Sequence, residues 1–538
     1  MKILLIFPPV TIYGSDPTFP GANPPFGLAY IAAYLVKNGY EVKILDALAL
    51  GIDQIVRGEG KMHVGLTEEQ IENYISEYQP QIVGISSMFT AYAMDAHAVA
   101  RLAKKINPEI LVVFGGAHAC INPEMVLKDK YVNMIVMGEG EVTFLEIVKS
   151  LEMGDGLTDI MGTVVKVDGK IIRNKPRPFI ENLDTLPFPA RHLLPTDIYF
   201  KKNESPYIMR RPMAQMVTSR GCPQNCIFCS IHAVWHHHWK GRSAKNVVDE
   251  IELLMKEYGI REISFLDDSM ATSKDRMHQI CDEIIFRKLD IKWTTPNGIT
   301  HWSLDEELLD KMKRSGCYRL TFGIESGNPG TRKFIRKYHS LEQATKIIKY
   351  ANKIGMWTIC TFIIGFPYED IQSINDTIKY AVDSDTDYAL FYLVLPFPGT
   401  DLYDIYKKEG LLDLDSIFFA DNPCDSDLDK IGATLAHGGC DTKFFTREKL
   451  REILSSAYKS FWNRRFKDFF NPMRVLCKIR SREDLRYAWK ILFVGINLGM
   501  KQIGRRRFLP QMVYKNYEKI RGELTEDRIN SKEERYNG

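Results

Sequence analysis

The feature that most restricts the fold is an alternation, met twice along the chain, of short β-branched runs with stretches of helical spacing. In the first, residues 3–7, 41–45, 81–85, 110–114 and 133–137 are short runs rich in apolar residues that read as buried parallel strands. Residues 27–38, 67–78, 91–105 and 141–151 lie between them with apolar residues at helical spacing. This predicts an α/β, doubly wound (Rossmann-like) sheet of five strands, with its ligand beyond the strands' carboxyl ends. The second alternation places strands at 214–219, 262–266, 291–294, 318–322, 357–364 and 388–394, and helices at 245–258, 305–313, 341–354 and 371–382. Six βα units predict a partial (β/α)6 barrel whose site residues crown the same ends of its strands.

Directly after the first barrel strand comes Thr218-Ser219-Arg220-Gly221-Cys222-Pro223-Gln224-Asn225-Cys226-Ile227-Phe228-Cys229-Ser230. Three thiolates on one loop can hold three corners of an iron–sulfur cube, and no fourth cysteine lies nearby. One iron is then open to bind something that reacts. A zinc site could draw its fourth ligand from His232, His236, His237 or His238, but the spacing departs from the paired Cys-x2-Cys of zinc sites. A disulfide framework is disfavoured because Cys120, Cys281, Cys317, Cys360, Cys424, Cys440 and Cys477 are scattered singly. Consecutive histidines cannot all face one ion, so 236–238 is expected to be a partly exposed loop covering the site.

With 538 residues, two or three domains are expected. A net charge of +3 gives no argument for a nucleic-acid partner. The apolar run before Pro8-Pro9 is too short for a signal peptide and no run reaches the length of a membrane span, so a cytoplasmic protein is expected. The expected division is 1–151 for the first sheet, 152–212 for a hairpin and linker, 213–402 for the barrel, 403–520 for a helical region and 521–538 for a disordered tail. Within the linker, 162–174 alternates around Asp168-Gly169, a hairpin signal, and no chemistry is apparent. In the helical region, Arg464, Arg465, Arg474, Lys478, Arg480, Arg482 and Arg505-Arg506-Arg507 flank the apolar run 491–500. A basic face packed on the barrel is the preferred reading, and peripheral membrane contact the second.

The strand ends of the first domain carry Pro8-Pro9, Asp46, Ser86-Ser87-Met88, Gly115-Gly116-Ala117-His118 and Gly138-Glu139-Gly140-Glu141, two of them glycine-rich enough to admit a large flat ligand. No Gly-x-Gly-x-x-Gly follows the first strand, which argues against a dinucleotide. The Cys-x3-Cys-x2-Cys spacing, with Phe228 before the last cysteine, resembles the radical S-adenosylmethionine family. The five loops, with Pro24-Pro25-Phe26-Gly27 opening the first helix, resemble the cobalamin-binding domain that precedes many such barrels. In its closest form the resemblance is to class B methyltransferases, among them the cobalamin-dependent methyltransferase of fosfomycin biosynthesis.

That resemblance implies a 4Fe-4S cluster on Cys222, Cys226 and Cys229, with S-adenosylmethionine chelating the open iron. It places Phe228, Asp268, Asn297, Glu325, Gly365 and Pro396 beside S-adenosylmethionine, although Asp267-Asp268 stands where the family usually has a Gly-Gly-Glu-like stretch. It places Pro25, Gly27, Ser86, Gly115, Gly116, His118, Gly138 and Glu139 beside cobalamin. The string Asp95-Ala96-His97-Ala98-Val99-Ala100 is nearest to the cobalt-ligating Asp-x-His-x-x-Gly, but it ends in alanine and falls after the third strand. His97 is therefore read as a packing residue and the cobalamin as bound without a protein histidine. No catalytic side chain is assigned. The implied reaction is methylation of an unactivated carbon of a small-molecule or lipid-like substrate, with an electron donor such as flavodoxin or ferredoxin. The alternatives are a cobalamin-dependent cyclase or rearrangement enzyme, and a non-catalytic iron–sulfur protein.

Overall fold

The computed structural model describes residues 1–13, 21–58, 60–200, 207–412, 414, 431–432, 434–435, 439–469 and 477–491. The N-terminal half contains β1 (Lys2–Phe7), β2 (Val10–Tyr13), β3 (Glu41–Asp46), β4 (Ile55–Gly58), β5 (Lys61–Val64), β6 (Ile82–Ser86), β7 (Leu111–Gly115), β8 (Met134–Val136), β9 (Thr163–Val167) and β10 (Lys170–Arg173). Seven of these form one sheet in the order β10-β9-β8-β7-β6-β1-β3. The five expected strands are its parallel part. The hairpin signalled by Asp168-Gly169 extends it antiparallel, so the linker is partly built into the first domain's sheet. A second antiparallel sheet, β2-β5-β4, was not expected. Its strands have four residues each, too few to show a period.

The barrel half contains β11 (Met213–Met216), β12 (Ser219–Gly221), β13 (Trp239–Gly241), β14 (Glu262–Phe265), β15 (Lys292–Ile299), β16 (Cys317–Glu325), β17 (Trp357–Ile364) and β18 (Tyr388–Leu393). Six run parallel in the order β11-β14-β15-β16-β17-β18. The single strand expected at 214–219 divides instead, and its second part pairs with β13 as a short ribbon. Six helices from here on start on a hydroxyl or carboxylate cap, from Ser243, Ser273, Asp305, Ser340, Asp370 and Thr400. The helix Lys274–Phe286 adds to the expected set, with Met277, Ile280, Cys281 and Ile284 buried at helical spacing.

A buried charge cluster sits where the connector and the two halves meet. Arg191 of the connector donates to Glu250 Oε1 at 2.9 Å, and Arg242 donates to Glu250 Oε2 at 2.5 Å and to Tyr30 of the first domain at 3.4 Å. Burial opposes ionisation of Glu250, and the two arginines overcome it, holding the carboxyl below its usual value. Tyr199 of the connector donates to Asp46, which also caps the helix Ala47–Leu50, so this strand-end acid is structural. The connector, silent by motif, is thus a clamp.

Beyond the barrel the helix Arg447–Phe469 lies on β18 and on the helix Ile371–Asp383. Tyr458 donates to Phe391 O at 3.1 Å, and buried Arg465 donates to Val382 O at 3.3 Å. Lys478 is buried, paired with Asp387 and donating to Met356 O at 2.9 Å. These basic residues serve packing. No helix among the described residues is long and apolar enough to cross a membrane. The tail at 521–538, Arg474, Arg505-Arg506-Arg507 and residues 492–500 lie outside the described residues.

Candidate active site

The cysteine loop is set by the β12–β13 ribbon. Asp267 is buried at the end of β14 and accepts from Thr218 N at 3.1 Å, Thr218 Oγ1 at 2.7 Å and Ser219 Oγ at 2.5 Å. Gly221 has φ +77, and a side chain there would overlap the His238 carbonyl, so only glycine makes this turn. Its amide donates to Asp268 Oδ2 at 3.2 Å. Cys222, Cys226 and Cys229 follow, all free thiols near enough to feel one another's charge. Burial pushes all three thiols up, Cys229 to about 12, while the Lys337 ammonium pulls Cys222 and Cys226 the other way. A bound cation acts the other way, because it favours the thiolate. No three His, Cys, Asp or Glu side chains among the described residues are placed to hold one metal ion, whereas cube ligands stand around a volume.

The other barrel ends converge on this loop. Asp268 is open to the site but ringed by protein, and that desolvation, with Asp267 beside it, raises its carboxyl to about 6. Asn297 donates to Leu266 O at 2.9 Å, tying the β15 end to β14. Glu325 stands at φ +68, an uncommon backbone for a side chain of its size, and accepts from Lys337 Nζ at 3.4 Å. Lys337 was not foreseen: it lies beyond β16, in no motif, and Glu325 and Cys226 hold its ammonium above its usual value against burial. Arg332, equally unforeseen, donates to Ile324 O at 2.8 Å and Ser326 O at 3.2 Å and so shapes this turn. Gly365, at φ +90, gives its amide to Glu369 at 2.8 Å and lies against Leu450. Phe228 packs 6.1 Å from Phe366, and Pro396 is buried.

The histidine loop sits beside these thiols. His236 and His237 both have positive φ, and His237 stacks on His232 at 4.0 Å. His238 packs on Phe179 of the connector at 5.2 Å, and the helix His232–Trp235 lies against the helix Ala117–Ile121 of the first domain.

On the facing side, Pro25 precedes the helix Phe26–Lys37, and a side chain at Gly27 would meet nothing within 4 Å. Gly115 has comparable space, its nearest neighbour being Val136 O at 4.0 Å. Gly116, at φ +103, turns tightly over Ser87, and Ser86 is half-buried beside it. Gly138, at φ +68, passes close to Phe179. The His118 ring turns inward, fully buried with Nδ1 3.1 Å from Thr90 Oγ1, and burial lowers it to about 3. The Glu139 carboxylate is taken by Arg220, whose guanidinium spans Glu139 and Glu141 at 2.5 Å each over the Tyr30 ring. Burial raises the Glu139 carboxyl, with Arg220 opposing. Arg220 immediately precedes Gly221-Cys222, so one side chain ties the cysteine loop to a strand-end loop of the other domain.

Residues 216–381 match the Radical SAM superfamily model and residues 17–148 the B12 binding domain model. The chain is 36% identical over 494 residues to an uncharacterized methyltransferase of Pyrococcus horikoshii, spanning 91% of this chain and 99% of that one. It belongs to the cobalamin-binding radical S-adenosylmethionine family. It is also 35% identical to the cytidylyl-2-hydroxyethylphosphonate methyltransferase of Streptomyces wedmorensis, over 77% of this chain and 83% of that one. Among solved structures, the fold matches the radical S-adenosylmethionine methyltransferase TsrM from Kitasatospora setae, determined with cobalamin and a [4Fe-4S] cluster bound. The TM-score is 0.64 at 16% identity, covering 86% of this chain and 88% of that one.

The residues present fit the cofactors of this family. Three thiols close enough to feel one another's charge have no fourth among them in the described residues, as a cluster with one open iron requires. The space beside Gly27 and Gly115 is what a flat ligand needs for close approach. His97 does not face it: its Nδ1 lies 2.6 Å from Asp129 Oδ2 and its ring packs on Phe114, in keeping with the packing role expected.

Proposed function

We propose that the protein methylates an unactivated carbon of a small organic substrate at the meeting of its two domains. The observation that supports this reading best is the Arg220 bridge, which sets the cysteine loop opposite the strand-end loops of the cobalamin-binding domain. With the family's cofactors bound, the chemistry supplied is a 5′-deoxyadenosyl radical for hydrogen abstraction and a methyl group for transfer to carbon.

The chain's own residues do the rest. With the cluster bound, Cys222, Cys226 and Cys229 would hold three of its irons and leave the fourth open to S-adenosylmethionine. Asp268, ionised above about pH 6, can accept from the ligand's ammonium, and Lys337 beside Glu325 can meet its carboxylate. Glu369 fixes the turn at Gly365 by accepting from two successive amides. A flavodoxin or ferredoxin-like donor supplies the electron. We place the protein in the cytoplasm, because all nine described cysteines are free thiols.

Two half-reactions test the proposal without knowledge of the substrate. The reconstituted chain, given S-adenosylmethionine and a strong reductant, is expected to form 5′-deoxyadenosine. With added cob(I)alamin it is expected to form methylcobalamin and S-adenosylhomocysteine. Deoxyadenosine without S-adenosylhomocysteine would replace methylation by cyclisation or rearrangement, and neither product would refute an enzyme. Cytidylyl-2-hydroxyethylphosphonate, acted on by the Streptomyces relative, is the first acceptor to try.

A further inference from the structure

The turn after β6 points to a feature of the cobalamin site that no family motif marks. From β1 the chain passes to β3 on one side and returns to β6 on the other, so the crevice between β1 and β6 is the switch point of the sheet. A ligand beyond the carboxyl ends of such a sheet is centred there. At this point Met88 and Phe89 are 44% and 57% exposed, the large apolar side chains exposed in the five strand-end loops as described. Exposed apolar groups placed together at a ligand crevice mark a contact surface.

Their orientation is enforced by backbone. Ser87 N donates to Gly115 O at 2.7 Å, and His118 N donates to Ser87 O at 3.1 Å, so the residue before Met88 is pinned on both sides. A Cβ on Gly116 would lie 2.6 Å from Ser87 O and 3.2 Å from Met88 Sδ. Glycine at 116 is therefore what allows the thioether to lie across the turn. The nearby histidines are engaged elsewhere, His118 sealed against Thr90 and His97 held by Asp129.

We infer that Met88, with Phe89 beside it, forms the floor under the lower face of the corrin, presenting a thioether and a ring where a nitrogen ligand could otherwise stand. This rests on the cobalamin reading of the proposed function. A thioether is a weak donor. Such a floor leaves cobalt without a strong lower ligand and makes its reduced state more accessible.

The test is electron paramagnetic resonance of the full chain loaded with cobalamin and reduced to the cob(II) state. The unaltered protein should give cobalt lines free of nitrogen splitting. Met88→His should split each line into three, as an imidazole nitrogen beneath cobalt requires. Phe89→His, one residue on, should leave the lines unsplit, and Met88→Ala should weaken cobalamin binding several-fold with no splitting. Unsplit lines from a Met88→His chain that binds cobalamin stoichiometrically would overturn the inference, as would nitrogen splitting in the unaltered protein. Failure of the unaltered protein to bind cobalamin at all would overturn the parent reading instead, and this one with it.

Discussion

Replacing Arg220 by methionine keeps most of the side-chain volume and removes the only charge held between Glu139 and Glu141 in the described ion pairs. The three side chains are 13%, 6% and 4% exposed, so solvent cannot replace the lost cation. Breaking a buried pair from one side costs about 3–5 kcal/mol. Proton uptake sets an independent ceiling for Glu139: neutralising a carboxyl of usual pKa 4.5 costs about 4 kcal/mol at pH 7.5 and about 1.4 kcal/mol at pH 5.5. The two figures agree at neutral pH and diverge in acid. The sign follows from linkage. Burial already raises Glu139, and without Arg220 its folded pKa rises further above the unfolded value, so the variant loses stability as pH climbs between the two. Thermal unfolding followed by tryptophan fluorescence should show a fall in midpoint relative to the unaltered protein that is at least twice as large at pH 7.5 as at pH 5.5. An equal fall at both pH values, or none, would refute the argument that buried carboxylate is what Arg220 compensates.

Three further outcomes are expected. Gly221→Ala must place an alanine at φ +77 against the His238 carbonyl, so iron retained after reconstitution should fall below half, read by iron and sulfide assay. Asp268, raised to about 6, should make S-adenosylmethionine affinity flat above that pH and fall up to tenfold per unit below it; Asp268→Asn should bind more weakly with no such dependence, measured by equilibrium dialysis. Lys478→Met strands Asp387, and with the pair 1% and 6% exposed it should cost about 3–5 kcal/mol in urea unfolding, partly recovered by adding Asp387→Asn.

What could be read from sequence follows from how each residue acts. Buried parallel strands advertise themselves by short runs rich in apolar residues, and every one of the eleven expected strands is present, the barrel's first in two parts. The four-residue strands β2, β4 and β5 are too short to show a period, and β2 reaches its partner β5 across about fifty residues, so little local marks them. Cys222, Cys226 and Cys229 are legible because one loop supplies all three ligands. Lys337 and Arg332 are not, because each acts by reaching back across a turn after β16, and a lone basic residue outside a motif looks like solvated surface. Arg191 and Tyr199 fall in a connector with no motif at all, yet their partners Glu250 and Asp46 are buried.

The charged seam between the domains bears on function more than on stability. An apolar seam of the same area would hold the halves together, but it would tolerate sliding, because dispersion contacts are non-directional. Arg220 instead meets Glu139 and Glu141, and Arg242 reaches Tyr30, through directed hydrogen bonds that fail if either domain shifts by an ångström or two. A methyl group must pass from one domain's ligand to a carbon poised by the other's, and that step needs a fixed separation more than a tight one. The residue beside Cys222 is where such a constraint is most economical, because the same guanidinium that meets Glu139 and Glu141 then sets the height of the cysteine loop. Conservative replacement by lysine, which offers a point charge in place of a planar fork, should therefore restore more of the pH-dependent stability than of the methylcobalamin-forming half-reaction.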